Sequence, residues 1–300
     1  MARVIKALVV YTLFPSSVRP EFGIFAETRL RELLRSGKVE SRVNAPVPWF
    51  PFRNQRFGEY AQYASTPLEE ARHSILVSHP RYFLPPALGI NLAPYTLALS
   101  ILTKAREFQR SGFDFDLIDA HYHYPDGVAA GIVARKLNKP FVVTACGTDL
   151  SLIPEYLRPR RLILETTDHA KGSIGVCKAL MDRLAALGAD PTKLHVMRNG
   201  IDLERFYPID QSEARERLNF GDERILLLVG HPAEHNKTGI LFNAGDRNSQ
   251  SNALLSLLND QQCWPELKAT GRTFVETVCN WRNSVANHRA PYHRRIGKSD

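Results

Sequence analysis

The sequence predicts an α/β protein. A Rossmann-like parallel sheet is expected over residues 1–207, a truncated second α/β domain over 208–282, and a basic tail over 283–300. Three observations carry this. From Phe115 onward, short β-branched runs alternate with amphipathic stretches, the pattern of strand–helix–strand units in a parallel sheet. Each run ends in a loop holding glycine, histidine, aspartate or asparagine, where open parallel sheets bind ligands. Finally, "LLLVG" (226–230) reads as a buried strand with its terminal glycine, yet Pro232, Ala233 and Glu234 follow where a helix should begin.

The elements follow in order. "VIKALVVYTLF" (4–14) is a strand candidate, and Pro15–Gly23 a loop. A helix then carries Ala26, Leu30, Leu33 and Leu34 on one face and stops at Gly37. Residues 40–90 read as irregular, with many prolines and aromatics. Pro94 opens a helix whose Leu97, Ile101, Leu102, Ala105 and Phe108 share a stripe, closed by Gly112. "FDLIDAHY" is the next strand, followed by Asp126 as a candidate cap and a helix bearing Val128, Ile132, Val133 and Leu137. Strands at 141–145, 173–177 and 193–197 alternate with helices around 160–170 and at 178–187. Five loops should therefore meet at one rim: 14–23, 121–127, 146–149, 177–178 and 198–202. Only 92 residues follow Pro208, whereas a complete α/β domain most often has roughly 100–150.

Composition narrows the function classes. A hydrophobic share of 44% with 23% charged residues is that of a globular protein. No charged start leads into an apolar segment, so no secretory signal is read. Residues 82–103 carry no charge, but Pro85, Pro86, Asn91 and Pro94 interrupt them, which argues against a membrane span. Cys146, Cys177, Cys263 and Cys279 form no CxxC pair, so reduced thiols and a cytoplasmic location are expected. Net charge is +8, and Arg282, Arg289, Arg294, Arg295 and Lys298 face only Asp300 at the end of the chain. Such a tail suits an anionic membrane surface. Nucleic acid is not expected, since neither a recognition motif nor a base-stacking series accompanies the charge.

The rim loops hold the candidate chemistry. "HYHYPDG" places His121 and His123 two residues apart at a strand end, with Asp126 nearby, a set that suits zinc or substrate contact. A third zinc ligand would come from His169, His195 or His231, none at a recognisable spacing. In "ACGTDL", Gly147 and Thr148 bring backbone and hydroxyl toward a ligand, and Asp149 either orients a sugar hydroxyl or caps the next segment. Cys146 is a nucleophile only with a base beside it; otherwise it is small apolar filler. Gly23 precedes a helix start, where N–H groups attract anions. Neither GxGxxG nor GxxxxGK[ST] is present, so dinucleotide oxidoreduction and P-loop phosphoryl transfer lack support.

Taken together, "LFPSSVRPEFGIFAETR", "DLIDAHYHYPDGVAA", "KPFVVTACGTDL", "VCKALMDRLAALG", "VMRNGIDLERFYP" and "LLLVG" resemble the family 4 glycosyltransferases of the GT-B fold. The likeness runs through residues 7–230 in the family's order. It resumes at "EHNKTGILFNAGD", "ALLSLLND" and "ELKATGRTFVETVCNW", as if the middle of the second domain were missing and its flanks joined near His231.

The resemblance implies transfer of a sugar, with retention, from a nucleotide-sugar to a glycan or lipid-linked acceptor. It implies no cofactor beyond that co-substrate and no metal. It also points to bacterial surface-polysaccharide or glycolipid assembly, with peripheral contact at an anionic membrane. With the rim reading beside it, Asp149 and His121 are the catalytic candidates. Gly23, His123, Gly147, Thr148, Asn199 and Gly200 would contact donor or acceptor. The sequence departs from the family at Cys146, where many members have histidine or arginine. It departs again at the E-x7-E pair, whose second glutamate falls at His231; Glu234 does not replace it. Two competing readings remain: a non-catalytic acceptor-binding remnant, and a metal-dependent hydrolase using His121, His123 and Asp126.

Overall fold

A computed structural model describes residues 3–85, 89–221 and 246–286. The expected strand at 225–229, the run at 239–242, the junction at His231 with Glu234, and the tail beyond 286 lie outside the described residues. The chain divides into two compact units, residues 1–199 with Ser284 onward, and residues 200–283.

The first unit is built on an eight-stranded sheet. Along the chain, the first half of this unit contains β1 (Ile5–Val10), β2 (Val39–Asn44), β3 (Val47–Pro48), β4 (Glu69–Arg72), β5 (Ile75–Ser78) and β6 (Arg81–Tyr82). Its second half contains β7 (Leu117–His121), β8 (Phe141–Ala145), β9 (Ser173–Gly175) and β10 (Leu194–Val196). The order across the sheet is β10-β9-β8-β7-β1-β2-β5-β4, with β3 and β6 paired separately. Every neighbouring pair is parallel except β4 with β5.

Interspersed are α1 (Ile24–Arg35), α2 (Glu59–Ser65), α3 (Gly89–Arg110), α4 (Val128–Leu137), α5 (Thr148–Ser151), α6 (Leu157–His169) and α7 (Lys178–Ala186). The parallel order follows from these helical crossovers between successive strands.

β1 shows how the core is divided. Its Leu8 and Val10 pack with Leu97, Ile101 and Val133 of α3 and α4 on one face. Its Ala7 and Val9 point to the other face, with Leu33 and Leu30 of α1. This is strand alternation with both faces covered, so β1 reads as a continuous apolar run. Each such aliphatic side chain contributes about 1.5–3 kcal/mol when withdrawn from water. Val285 packs with Ile5, Leu33 and Val39, and Ser284 Oγ donates to Arg198 O at 2.8 Å, so the chain returns to the first unit after leaving it.

Three expectations change. Residues 40–90 are not irregular: they hold β2 to β6 and α2. β4 and β5 form a hairpin whose two-residue turn is His73-Ser74, with φ 47° and 67°. That turn needs both residues left-handed, a conformation normally signalled by asparagine or glycine, so it is silent in the sequence. Second, α3 begins at Gly89 and carries Pro94 inside its first turns rather than at its start. Third, Asp126 does not cap α4, because its carboxylate is buried and bound to Thr12.

The second unit is described through α8 (Gln211–Arg217), α9 (Arg247–Asn259) and α10 (Trp264–Thr277). The last two cover the stretches the sequence reads as final helices. Ile201 bridges Asn280, and a side chain at Gly200 would meet the Trp281 backbone at 2.5 Å. Gly200 is thus a close-packing residue of this unit.

Candidate functional site

The carboxyl ends of β1, β7 and β8 lie side by side because those strands are adjacent in the sheet. Their loops are bound to one another by two buried aspartates. Asp149 accepts the backbone N–H of Gly147 at 2.7 Å, Cys146 at 3.1 Å and His123 at 2.8 Å. The His123 Nδ1 stands 3.6 Å away, and both side chains are 0% exposed. Burial pushes the Asp149 carboxyl up, but the His123 ring and the His123 and Gly147 amides outweigh it and hold it below the usual carboxylate range. Asp126 accepts the Thr12 backbone N–H at 2.6 Å and its hydroxyl at 2.9 Å, tying the β1 loop to the β7 loop. Burial dominates here, and the carboxyl is pushed up to about 7.

The histidines are fixed separately. His121 Nε2 meets Asp119 Oδ2 at 3.3 Å, and its ring lies 5.4 Å from that of Tyr11. His123 Nε2 meets Ser173 Oγ at 3.2 Å. His121, His123 and Asp126, the set proposed for zinc, each face a different partner. His169 binds its own helix through Glu165 O, and His231 lies outside the described residues. Among the described residues no three His, Cys, Asp or Glu side chains gather as metal ligands. Cys146 is no nucleophile in this setting: burial pushes its thiol up to about 12, and the thiolate is the reactive form.

What a ligand would meet is the exposed rim. Thr148 is exposed, and its hydroxyl is hydrogen-bonded to Tyr122 OH. Gly147, at φ 154°, sits beside it in a backbone conformation that favours glycine. Gly23 has φ 68°, and a Cβ there would stand 2.0 Å from Leu13 O. Only glycine allows α1 to start so close to the β1 loop, and no side chain caps that helix end. Uncapped N–H groups at a helix start attract negative charge in general.

One buried cation was not singled out from the sequence. Arg29, on α1, is 3% exposed and donates to Asn199 Oδ1. Its charge also reaches Cys146, which it pulls downward against the effect of burial. The signal was present: Arg29 falls at i+3 from Ala26 and i−4 from Leu33, on the apolar stripe of the helix. Arginine on such a stripe is buried only with partners. A cavity of about 490 Å³ opens beside these loops, lined by Thr12, Leu13, Tyr60, Tyr82, Tyr122 and Tyr124 among others.

A parallel sheet with both faces covered and a convergent rim of loops defines a doubly wound α/β domain with its ligand crevice at the strand ends. The fold matches a sucrose-phosphate synthase from Thermosynechococcus elongatus with TM-score 0.71, at 12% identity, over 99% of this chain and 100% of that one. It matches Anabaena Alr3699/HepE in complex with UDP-glucose with TM-score 0.62, at 13% identity, over 97% and 100%. These likenesses establish the GT-B type of fold. Residues 54–205, just over half the chain, match Glycosyltransferase Family 4. The chain belongs to that family.

Among its relatives is a teichuronic acid biosynthesis glycosyltransferase, TuaC, of Bacillus subtilis. It is 30% identical over 235 residues, 75% of this chain and 58% of that protein. A D-inositol 3-phosphate glycosyltransferase of Catenulispora acidiphila is 29% identical over 131 residues, 40% of this chain and 30% of that protein. The chain thus spans between about a third and three-fifths of the length of these relatives. Among the described residues no helix is long and apolar enough to cross a membrane.

Proposed function

We propose that this chain transfers a sugar from a nucleotide-sugar to a glycan or lipid-linked acceptor, with retention, in surface-polysaccharide or glycolipid assembly. The observation that supports it best is the rim itself: Asp149 and Asp126 bind three strand-end loops into one rigid crevice within a family of sugar transferases. The nucleotide-sugar is the one co-substrate, and no metal is required. In this proposal the diphosphate lies against the start of α1 at Gly23, where helix N–H groups stabilise the charge that develops as it departs. Thr148 and Gly147 contact the sugar or acceptor, and Asn199 belongs to the same crevice. His121, oriented by Asp119 through Nε2, offers its other nitrogen to a substrate hydroxyl. Asp149 and His123 act by setting the loops. The protein works at the inner face of a membrane, with basic residues drawn to anionic lipid.

A second reading, a non-catalytic acceptor-binding chain, draws support from one observation. Where the resemblance would place the second glutamate of the E-x7-E pair, the sequence has His231, and Glu234 does not replace it. Isothermal titration of the full chain with a panel of nucleotide-sugars separates the two. Heat from any donor, competed by its free nucleotide, supports transfer. Silence across the panel, with retained binding of an acceptor glycan, supports the second reading and defeats the first.

A further inference from the structure

The loop Trp49–Tyr60, "WFPFRNQRFGEY", carries more apolar surface than a solvated loop needs. Trp49 and Phe52 are each 55% exposed. Phe52 is held by the other rings of the loop. Phe50 stands 5.3 Å from Phe57 and 5.2 Å from Tyr60, while Phe52 stacks on Phe57 at 5.3 Å. Asn54 accepts the Arg56 N–H at 3.0 Å and caps the turn Gln55–Phe57. The aromatic surface continues through Tyr63, 6.2 Å from Tyr60, to Arg19, whose guanidinium lies 5.3 Å from the Tyr63 ring and 3.7 Å over Phe22. The result is an ordered aromatic platform at the surface.

Charge decides what covers it. Arg53 and Arg56 are exposed within the loop, and Arg56 lies 4.7 Å over Phe57. The loop's one acid, Glu59, is bound to Arg19 at 2.9 Å. Among the described residues neither Arg53 nor Arg56 has a carboxylate partner, so the platform presents aromatic rings and guanidinium groups together. Tryptophan and other aromatic rings settle at the boundary between headgroups and acyl chains, and arginine is drawn to anionic headgroups. A contiguous exposed aromatic patch of this kind marks an interaction site.

We infer that the Trp49–Tyr60 loop docks this protein onto an anionic phospholipid bilayer. Tyr60 belongs to both the platform and the cavity at the ends of β1 and β7. A docked chain thereby holds that cavity at headgroup level, where a lipid-linked acceptor would present its sugar; this last clause rests on the proposed function, the docking itself does not.

The test is sedimentation of the full chain with large vesicles of phosphatidylcholine, alone or mixed with phosphatidylglycerol, with no donor or acceptor added. Binding is expected only with the anionic vesicles. R53Q/R56Q should weaken it by about 30-fold, as for two cations near a charged surface. W49S/F52S should weaken it by about tenfold or more. Unchanged urea midpoints would show that both variants fold. Brominated lipid should quench the wild-type fluorescence more than that of W49F, placing Trp49 in the interface. Equal binding to neutral vesicles would overturn the inference. So would wild-type binding by W49S/F52S alongside loss of binding in R294Q/R295Q/K298Q, which assigns the membrane to the basic tail. A dimer in sedimentation velocity that W49S/F52S abolishes, without vesicle binding, would make a second copy the occupant instead.

Discussion

The carboxylate of Asp149 accepts the amide of His123 at 2.8 Å, joining the turn that leaves β7 to the turn that leaves β8. The same side chain takes the amides of Gly147 and Cys146, so a single buried residue holds the central part of the rim. Hydrogen bonds to a charged acceptor contribute roughly 1.5–3 kcal/mol each, more than those between neutral groups. An aspartate in this position serves geometry first, and chemistry through geometry.

Substitution by asparagine tests this directly. The amide keeps one acceptor oxygen and turns an NH2 toward backbone N–H groups that need an acceptor. D149N should therefore lose about 3 kcal/mol of stability, read from urea unfolding at neutral pH. Because the folded carboxyl is held below its ordinary range, its contribution is present above pH 4 and disappears as the solution is acidified through the folded value. A D149N protein as stable as the wild type would show that the loops stand without their anchor.

Gly23 makes a second case. A methyl group there would stand 2.0 Å from Leu13 O, and φ is 68°. G23A must move α1 or the β1 loop, at a cost of about 1–3 kcal/mol. The same shift disturbs the helix start proposed for the diphosphate, so nucleotide-sugar heat in titration should fall along with the melting temperature. Loss of stability with donor binding intact would detach Gly23 from the donor.

Arg29 and Asn199 should behave as one unit. Both lie in the first compact unit, and the buried guanidinium donates to the Asn199 side chain. A double-mutant cycle of R29Q and N199A should give a coupling of about 1–3 kcal/mol in unfolding free energy. Additive effects, within about 0.5 kcal/mol, would mean the contact contributes nothing measurable.

These residues also show where a sequence is informative. The run from Phe115 to Cys177 was legible because parallel strands and amphipathic helices have different periods and alternate there without interruption. The loops they create were legible as a rim, since strand ends in a parallel sheet point one way. Arg29 was written on its helix stripe, but a buried arginine announces itself only once its partner is known, and Asn199 is distant in sequence. Asp126 and Asp149 looked like ligands because polar residues in a rim usually face solvent. Their burial depends on neighbouring loops closing over them, which no local pattern encodes.

The turn at His73-Ser74 went unread for a related reason, and it yields a prediction. Both residues are left-handed, Ser74 with φ 67°. Glycine adopts that conformation without the penalty a side chain incurs. S74G should stabilise the β4–β5 hairpin by a few tenths to about 1 kcal/mol, measured as a raised urea midpoint. A lowered midpoint would mean that the gain in chain entropy of the unfolded state outweighs the relief of strain.

The buried Asp126 gives the clearest dependence on pH. Unfolded, its carboxyl loses a proton near pH 4. Folded, burial holds the proton until about pH 7, the Asp149 charge adding to the effect and the Thr12 hydrogen bonds opposing it. Between these values the native state binds more protons than the unfolded chain, so stability from this group falls as pH rises from about 4 to about 7. D126N mimics the neutral form: its oxygen can accept the Thr12 amide and its NH2 can donate to the Thr12 hydroxyl. Urea unfolding of wild type and D126N at pH 5 and pH 8 isolates the effect, because other titrating groups cancel in the difference. D126N should gain on the wild type as pH rises and be at least as stable at pH 8. If instead it lost more than about 1 kcal/mol relative to wild type at pH 8, Asp126 would be an ionised anchor like Asp149, with the Thr12 amide outweighing burial.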